Sequence, residues 1–199
     1  MRDVSIPAAP LVVKVGGSLL SLPDLKERIF ALLEKYTDAP VLFVVGGGTT
    51  ADMIRDLSAT HLISESAAHW LAIRAMSLNA HCLSAILQGT PVADSRDQAA
   101  AIWRVGGSAA ILDPFTLLSE VRSDELPEGW HVTSDSIAAL VAKRFSARRL
   151  ALLKSVGSWG KRIDSDAAAK GWVDPYFSMA SEGLDVFWFN VRSQSMGNS

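Results

Sequence analysis

Two glycine-rich stretches carry the residues best suited to chemistry: KVGGS at Lys14 to Ser18, and VVGGGTT at Val44 to Thr50. Each closes an apolar, β-branched run, so each puts glycines at the carboxyl end of a strand. There, missing side chains let backbone N–H groups approach an anion, and the following helix adds a favourable dipole. The chemistry this suits is the holding of phosphate. Lys14 precedes its glycines, whereas in a P-loop the lysine follows them, so a Walker-type reading fails. The pattern G-x-G-x-x-G is absent from both stretches, which argues against a dinucleotide-binding dehydrogenase. A lone K-x-G-G fits an ordinary strand-to-helix turn with a surface lysine equally well. Three consecutive glycines, Gly46, Gly47 and Gly48, carry an entropic cost that a plain turn does not require, and so favour a functional reading.

Two further segments bear charged residues at element ends. Thr133, Ser134 and Asp135 precede the amphipathic run SIAALVAKRF. They read either as helix caps or as a site placed at a helix start. RLALLK, Arg149 to Lys154, reads as an apolar strand ending in a lysine, which is either a second site cation or a surface residue. His131 beside TSDS is the best candidate among the histidines, while His61, His69 and His81 read as helix-surface or core residues. None has metal-ligand spacing, so no protein metal site is expected. GWVDPYF, Gly171 to Phe177, carries an aspartate and aromatics that read either as a cover over a nucleotide or substrate or, the favoured reading, as a packing aromatic cluster.

These residues must be positioned by a chain of 199 residues, 49% hydrophobic and 20% charged, which is enough to bury a full core. Nineteen basic and twenty-one acidic residues give a net charge of -2. No broad positive field is available for nucleic acid or an anionic membrane, so a small-molecule partner is expected. The single cysteine, Cys82, excludes an internal disulfide and fits a reducing cytoplasm. The broken apolar stretch at the N-terminus lacks a signal-peptide core, and no run approaches the roughly 20 apolar residues of a spanning helix.

Strands are expected over Leu11 to Val15 and over VLFVV after Pro40. Helices are expected from Pro23 over LPDLKERIFALLEKY, and after the second loop through Leu57, with Thr49 or Thr50 as cap. Two strand–glycine–helix units in succession require crossover connections and hence a parallel sheet. Ser64 to Leu87 reads as one or two helices. Beyond it lie a short strand near Pro91 to Ala93, a helix over Asp97 to Trp103 and a strand over Ala109 to Leu112. A helix over Pro114 to Val121 and a polar loop over Ser123 to Gly129 follow, the loop separating two halves. Past Lys154, a short helix is expected near Tyr176 to Glu182 and a strand from Val186.

In this order, KVGGS, VVGGGT, TSDSIAA and LALLK resemble the amino-acid-kinase family over roughly residues 11 to 155. The resemblance implies an α/β fold, a three-layer αβα sandwich around a mainly parallel open sheet. It implies one domain over 1–199, with an acceptor-side lobe at 1–122 and a shortened nucleotide-side lobe at 130–199. It assigns Lys14 to the transferred phosphoryl group, Asp135 to orienting the catalytic lysines, and Lys154 to the second lysine. Gly16, Gly17 and Ser18 would line the nucleotide phosphates, while Gly46, Gly47, Gly48 and Thr49 would face the acceptor. ATP and Mg²⁺ are the implied cofactors, and a homo-oligomer is implied.

The compact size and the segments TSDSIAALVAKRF and LLKS are similar to the short kinases associated with aminomethylfuran phosphate. That likeness implies a phosphate acceptor, with Arg55 or Arg74 helping to hold it. The segment KSVGSWGKRID departs from the family's T-D-V-D-G-V-Y pattern. A non-catalytic nucleotide or anion binder retaining the fold is the alternative reading.

Overall fold

The computed structural model describes residues 9–36, 39–122, 124–156, 161–162 and 166–192. Seven strands form one sheet: β1 Leu11–Val15, β2 Val41–Val45, β3 Val92–Ala93, β4 Ala109–Leu112, β5 Arg149–Lys154, β6 Lys161–Arg162 and β7 Asp185–Asn190. Their order across the sheet is β3-β4-β2-β1-β5-β7-β6. All neighbours run parallel except β6, which pairs antiparallel with β7. The sheet grows outward from β1 in both directions. Such a change of direction leaves a crevice at the carboxyl ends of the central strands, where open α/β sheets bind ligands.

The helices are α1 Leu25–Tyr36, α2 Gly48–His61, α3 Glu65–Ile86, α4 Arg96–Arg104, α5 Pro114–Ser119, α6 Ser134–Arg144 and α7 Phe177–Ala180. Side chains alternate along β1 and so feed two cores, one on each face. Leu11, Val13 and Val15 pack with Leu25, Ile29 and Leu32 of α1. Val12 packs on the other face with Ile137, Ala138 and Val141 of α6. Helices therefore cover both faces of a mainly parallel sheet, the three-layer α/β architecture read from the sequence. β1 and β2 are buried along their whole length, so β2 reads as an unbroken apolar run and β1 as one interrupted only by the buried Lys14.

Local side-chain capping explains three of the described helix starts. Ser64, Ser95 and Asp113 each accept a backbone N–H at the start of α3, α4 and α5. Several boundaries differ from the sequence reading. α1 starts at Leu25, because Asp24 lies before the helix and pairs with Arg28 at 2.7 Å. α5 stops at Ser119, and α7 is a single turn. α2 begins at Gly48 with Gly47 as its cap, so Thr49 and Thr50 lie inside the first turn. Most of KSVGSWGKRID lies outside the described residues. Among the described residues no helix is long and apolar enough to cross a membrane.

Candidate active site

The two glycine stretches meet. Gly46 donates its N–H to Val15 O at 2.9 Å, and Gly16 donates to Leu153 O at 2.8 Å, so the loops at the ends of β1 and β2 continue the sheet's own ladder. A Cβ on Gly17 would overlap the Gly48 nitrogen and lie 2.5 Å from Gly46 O. Gly48 has φ +53°, a left-handed conformation that favours glycine. Behind the second loop, Asn79 of α3 donates to Gly46 O and Gly47 O at 2.7 and 2.9 Å. These bonds tie both loop carbonyls to α3, and Gly47 O also accepts from Ala51 N at 3.2 Å in the first turn of α2.

Lys14 and Lys154 come together beside these loops. In the β1–β5 register Lys14 pairs with Leu152, and Lys154, two residues on, points to the same face. Asp135 enters from the first turn of α6 and joins both: its Oδ1 lies 2.6 Å from Lys14 Nζ, and its Oδ2 accepts from Lys154 Nζ at 2.6 Å. Lys14 and Asp135 are buried, with side chains 5% and 4% exposed. Burial acts to raise the Asp135 carboxyl, but the two lysines outweigh it and hold it below the ordinary carboxylate value. Burial, reinforced by the Lys14 charge, pushes Lys154 down to about 8 against the pull of Asp135. Two cations and one anion leave a net single positive charge at this node.

The start of α6 is held by a residue from far along the chain. Thr133 is the N-cap position, yet its side chain makes no capping bond. Instead the buried Asp174 carboxylate accepts from Thr133 N at 3.1 Å, Thr133 Oγ1 at 2.8 Å, Ser136 N at 3.2 Å and Ser136 Oγ. GWVDPYF thus does more than pack: Val173 and Phe177 enter the core while Asp174 anchors the turn that presents Asp135.

A cavity of about 290 Å³ opens over the node. Lys14, Gly16, Gly17, Ser18, Lys154 and Ser155 line one end, and Gly46, Gly47 and Gly48 lie beside them. Thr49 is exposed and does not line it. His69, Ala72, Ile73 and Met76 of α3 form one wall at helical spacing. The histidines therefore exchange the places read from sequence. His131 is exposed, whereas His69 is buried and accepts from Gly129 N at 3.3 Å through Nδ1. Burial holds His69 below its ordinary value, so the neutral ring suits this bond.

Of the two arginines, Arg55 reaches the cavity. It stacks 4.4 Å over Trp130 and pairs with Asp52 at 2.7 Å. Arg74 lies over Phe115 outside the cavity. Sequence reasoning missed Asp52, Trp130 and Asp174. The 69–72–73–76 spacing on α3 was the one local signal for the wall.

Comparisons with known proteins bear on the family and the fold. A model described as the Amino acid kinase family matches residues 9–167. A curated relative, the [5-(aminomethyl)furan-3-yl]methyl phosphate kinase of Methanocaldococcus jannaschii, is 29% identical over 147 residues. The match covers 73% of this chain and 65% of the relative, just under two thirds of its length. The solved UMP kinase from Bacillus anthracis superposes with a TM-score of 0.66 at 14% identity, covering 94% of this chain and 89% of that one. Aspartate kinase from Synechocystis superposes at 0.63 and 15% identity, covering 95% of this chain and 39% of the other. At such identities these two structures speak for the fold alone.

Proposed function

Because this chain belongs to the amino acid kinase family, we propose that it is an ATP-dependent small-molecule kinase, moving the γ-phosphoryl group to a phosphate or carboxylate acceptor. The observation that carries this reading is Asp135 bridging Lys14 and Lys154 beside two touching glycine loops. Phosphoryl transfer asks a protein for alignment and for positive charge on the equatorial oxygens, with no covalent intermediate. In this reading Lys14 lies against the transferred group and Lys154 against the nucleotide side. Asp135 fixes both ammonium groups, so neither must reorganise as charge moves. Gly16, Gly17 and Ser18 accommodate the nucleotide phosphates, and Gly46 to Gly48 accommodate the acceptor.

Among the described residues no group of three or more His, Cys, Asp or Glu could hold a metal ion, and Asp135 is taken by two lysines. The described residues thus offer Mg²⁺ no carboxylate cage, and the ion expected with ATP would arrive on the nucleotide phosphates, where it neutralises charge. The resemblance to the aminomethylfuran phosphate kinase, together with Arg55 at the cavity, favours a phosphate acceptor. Residues 1–122 would serve the acceptor and 130–199 the nucleotide, within one cytoplasmic protein that acts as a homo-oligomer.

ADP release across a panel of phosphorylated alcohols, amino acids and aminomethylfuran phosphate tests this. Turnover that disappears in Lys14→Ala, with an unchanged far-UV spectrum, is the expected result. A rise in melting temperature with ATP and Mg²⁺, but no ADP release with any acceptor, would point instead to a non-catalytic nucleotide binder.

A further inference from the structure

Two carboxylates line the cavity, and the mechanism uses only one of them. Asp135 is held between two lysines, while Asp52 stands on α2 with its side chain 64% exposed, paired to Arg55 at 2.7 Å. In a cavity that must draw a nucleotide triphosphate and an anionic acceptor, a carboxylate works against binding. With Lys14, Arg55 and Lys154 against Asp52 and Asp135, the lining carries one net positive charge; without Asp52 it would carry two. The residue makes chemical sense when the acceptor itself brings a cation.

The surroundings of Asp52 fit such a group. Arg55 and Asp52 sit three residues apart on one helix face, presenting opposite charges side by side. An exposed pair of this kind is weak, about 1 kcal/mol or less, so ligand groups can replace either partner at little cost. The Trp130 face beside them already attracts the Arg55 guanidinium and would equally attract an ammonium. Ala51, Ala72, Ile73 and Met76 offer an apolar floor for an uncharged body between two charged ends.

We propose that Asp52 is a specificity-determining residue that takes the ammonium group of a zwitterionic acceptor, whose anionic end is held by Arg55 and the second glycine loop. This rests on the kinase reading above. A charge pair made in the ground state acts on KM for the acceptor and leaves kcat little changed, while loss of the Asp52 charge should lower KM for ATP rather than raise it. If Asp52 merely steadied Arg55, its loss would weaken every anionic acceptor alike.

The test compares two probes, [5-(aminomethyl)furan-3-yl]methyl phosphate and the amine-free furan-3-ylmethyl phosphate, by calorimetric binding and by ADP release. The wild-type chain is expected to bind the aminated probe about five- to tenfold more tightly, from a partly exposed charge pair with an aromatic neighbour. Asp52→Asn should erase that preference, with the amine-free probe bound at least as tightly as by the wild-type chain because a repelling carboxylate is gone, and Asp52→Glu should restore part of the preference. Equal weakening of both probes in Asp52→Asn, or no wild-type preference, overturns the proposal. Failure of both probes to bind also overturns it, while the kinase reading is still judged by the wider acceptor panel. Binding that depends on Asp52 without ADP release from any acceptor sinks the kinase reading and leaves the charge recognition standing.

Discussion

The Lys14–Asp135–Lys154 node and the Arg55–Asp52 pair use the same chemistry at nearly the same distances, 2.6 and 2.7 Å. Their surroundings differ sharply. At the node, Lys14 and Asp135 are buried at the cavity between α6 and the glycine loops, so removing one partner strands an uncompensated charge in a low dielectric. At the mouth, both side chains are at least half exposed, and water can replace either partner. The buried node suits charge that must stay fixed while a phosphoryl group moves. The exposed pair suits charge that must yield to an arriving acceptor.

Five experiments can break or sharpen that contrast, beginning with the largest effect. Asp135→Ala should abolish ADP release and cost about 3–5 kcal/mol of stability, because the buried Lys14 and the partly buried Lys154 lose their common partner. Urea unfolding checks it, and a loss below 1 kcal/mol would mean the node is not buried. Gly17→Ala should cost about 1–3 kcal/mol and cut turnover at least 100-fold, since the new methyl group has only backbone to displace. Asp174→Ala should remove about 1–2 kcal/mol as α6 loses its cap. If stability falls while kcat holds, Asp174 serves the fold alone.

The fourth experiment is a pH profile. Lys154 titrates near 8 in the folded chain, so kcat/KM should fall as pH rises through that value and its positive charge is lost. Lys154→Arg should carry the falling limb beyond the measurable range. The sign for stability is opposite. The unfolded lysine keeps its proton to about 10.5, so between about 8 and 10.5 the unfolded state binds more protons and stability rises with pH. The smallest effect belongs to the mouth: Asp52→Asn should change stability by about 0.5 kcal/mol or less.

The central strands and both glycine loops were legible because unbroken apolar runs and consecutive glycines are local signals. Lys14, Asp135 and Lys154 were named as candidates because strand ends and a helix start are local too. What brings them together is register and layering, which no window of sequence contains. Asp174 was misread for the same reason: its partners lie at 133 and 136, and only the return of the chain beneath α6 joins them. His131 was favoured over His69 because proximity along the chain stood in for proximity in space. The Arg55–Trp130 stack likewise links α2 to a loop some 75 residues away.

The contact between Gly17 and Gly48 has a consequence for how the molecule could change its substrate. Because Gly17 meets Gly46 and Gly48 through main chain, the spacing of the proposed donor and acceptor loops at that point would be set by peptide geometry. If the proposed reading holds, replacements at 52, 55 or 130 would redraw the acceptor's outline without moving the main-chain contact along which a phosphoryl group would pass.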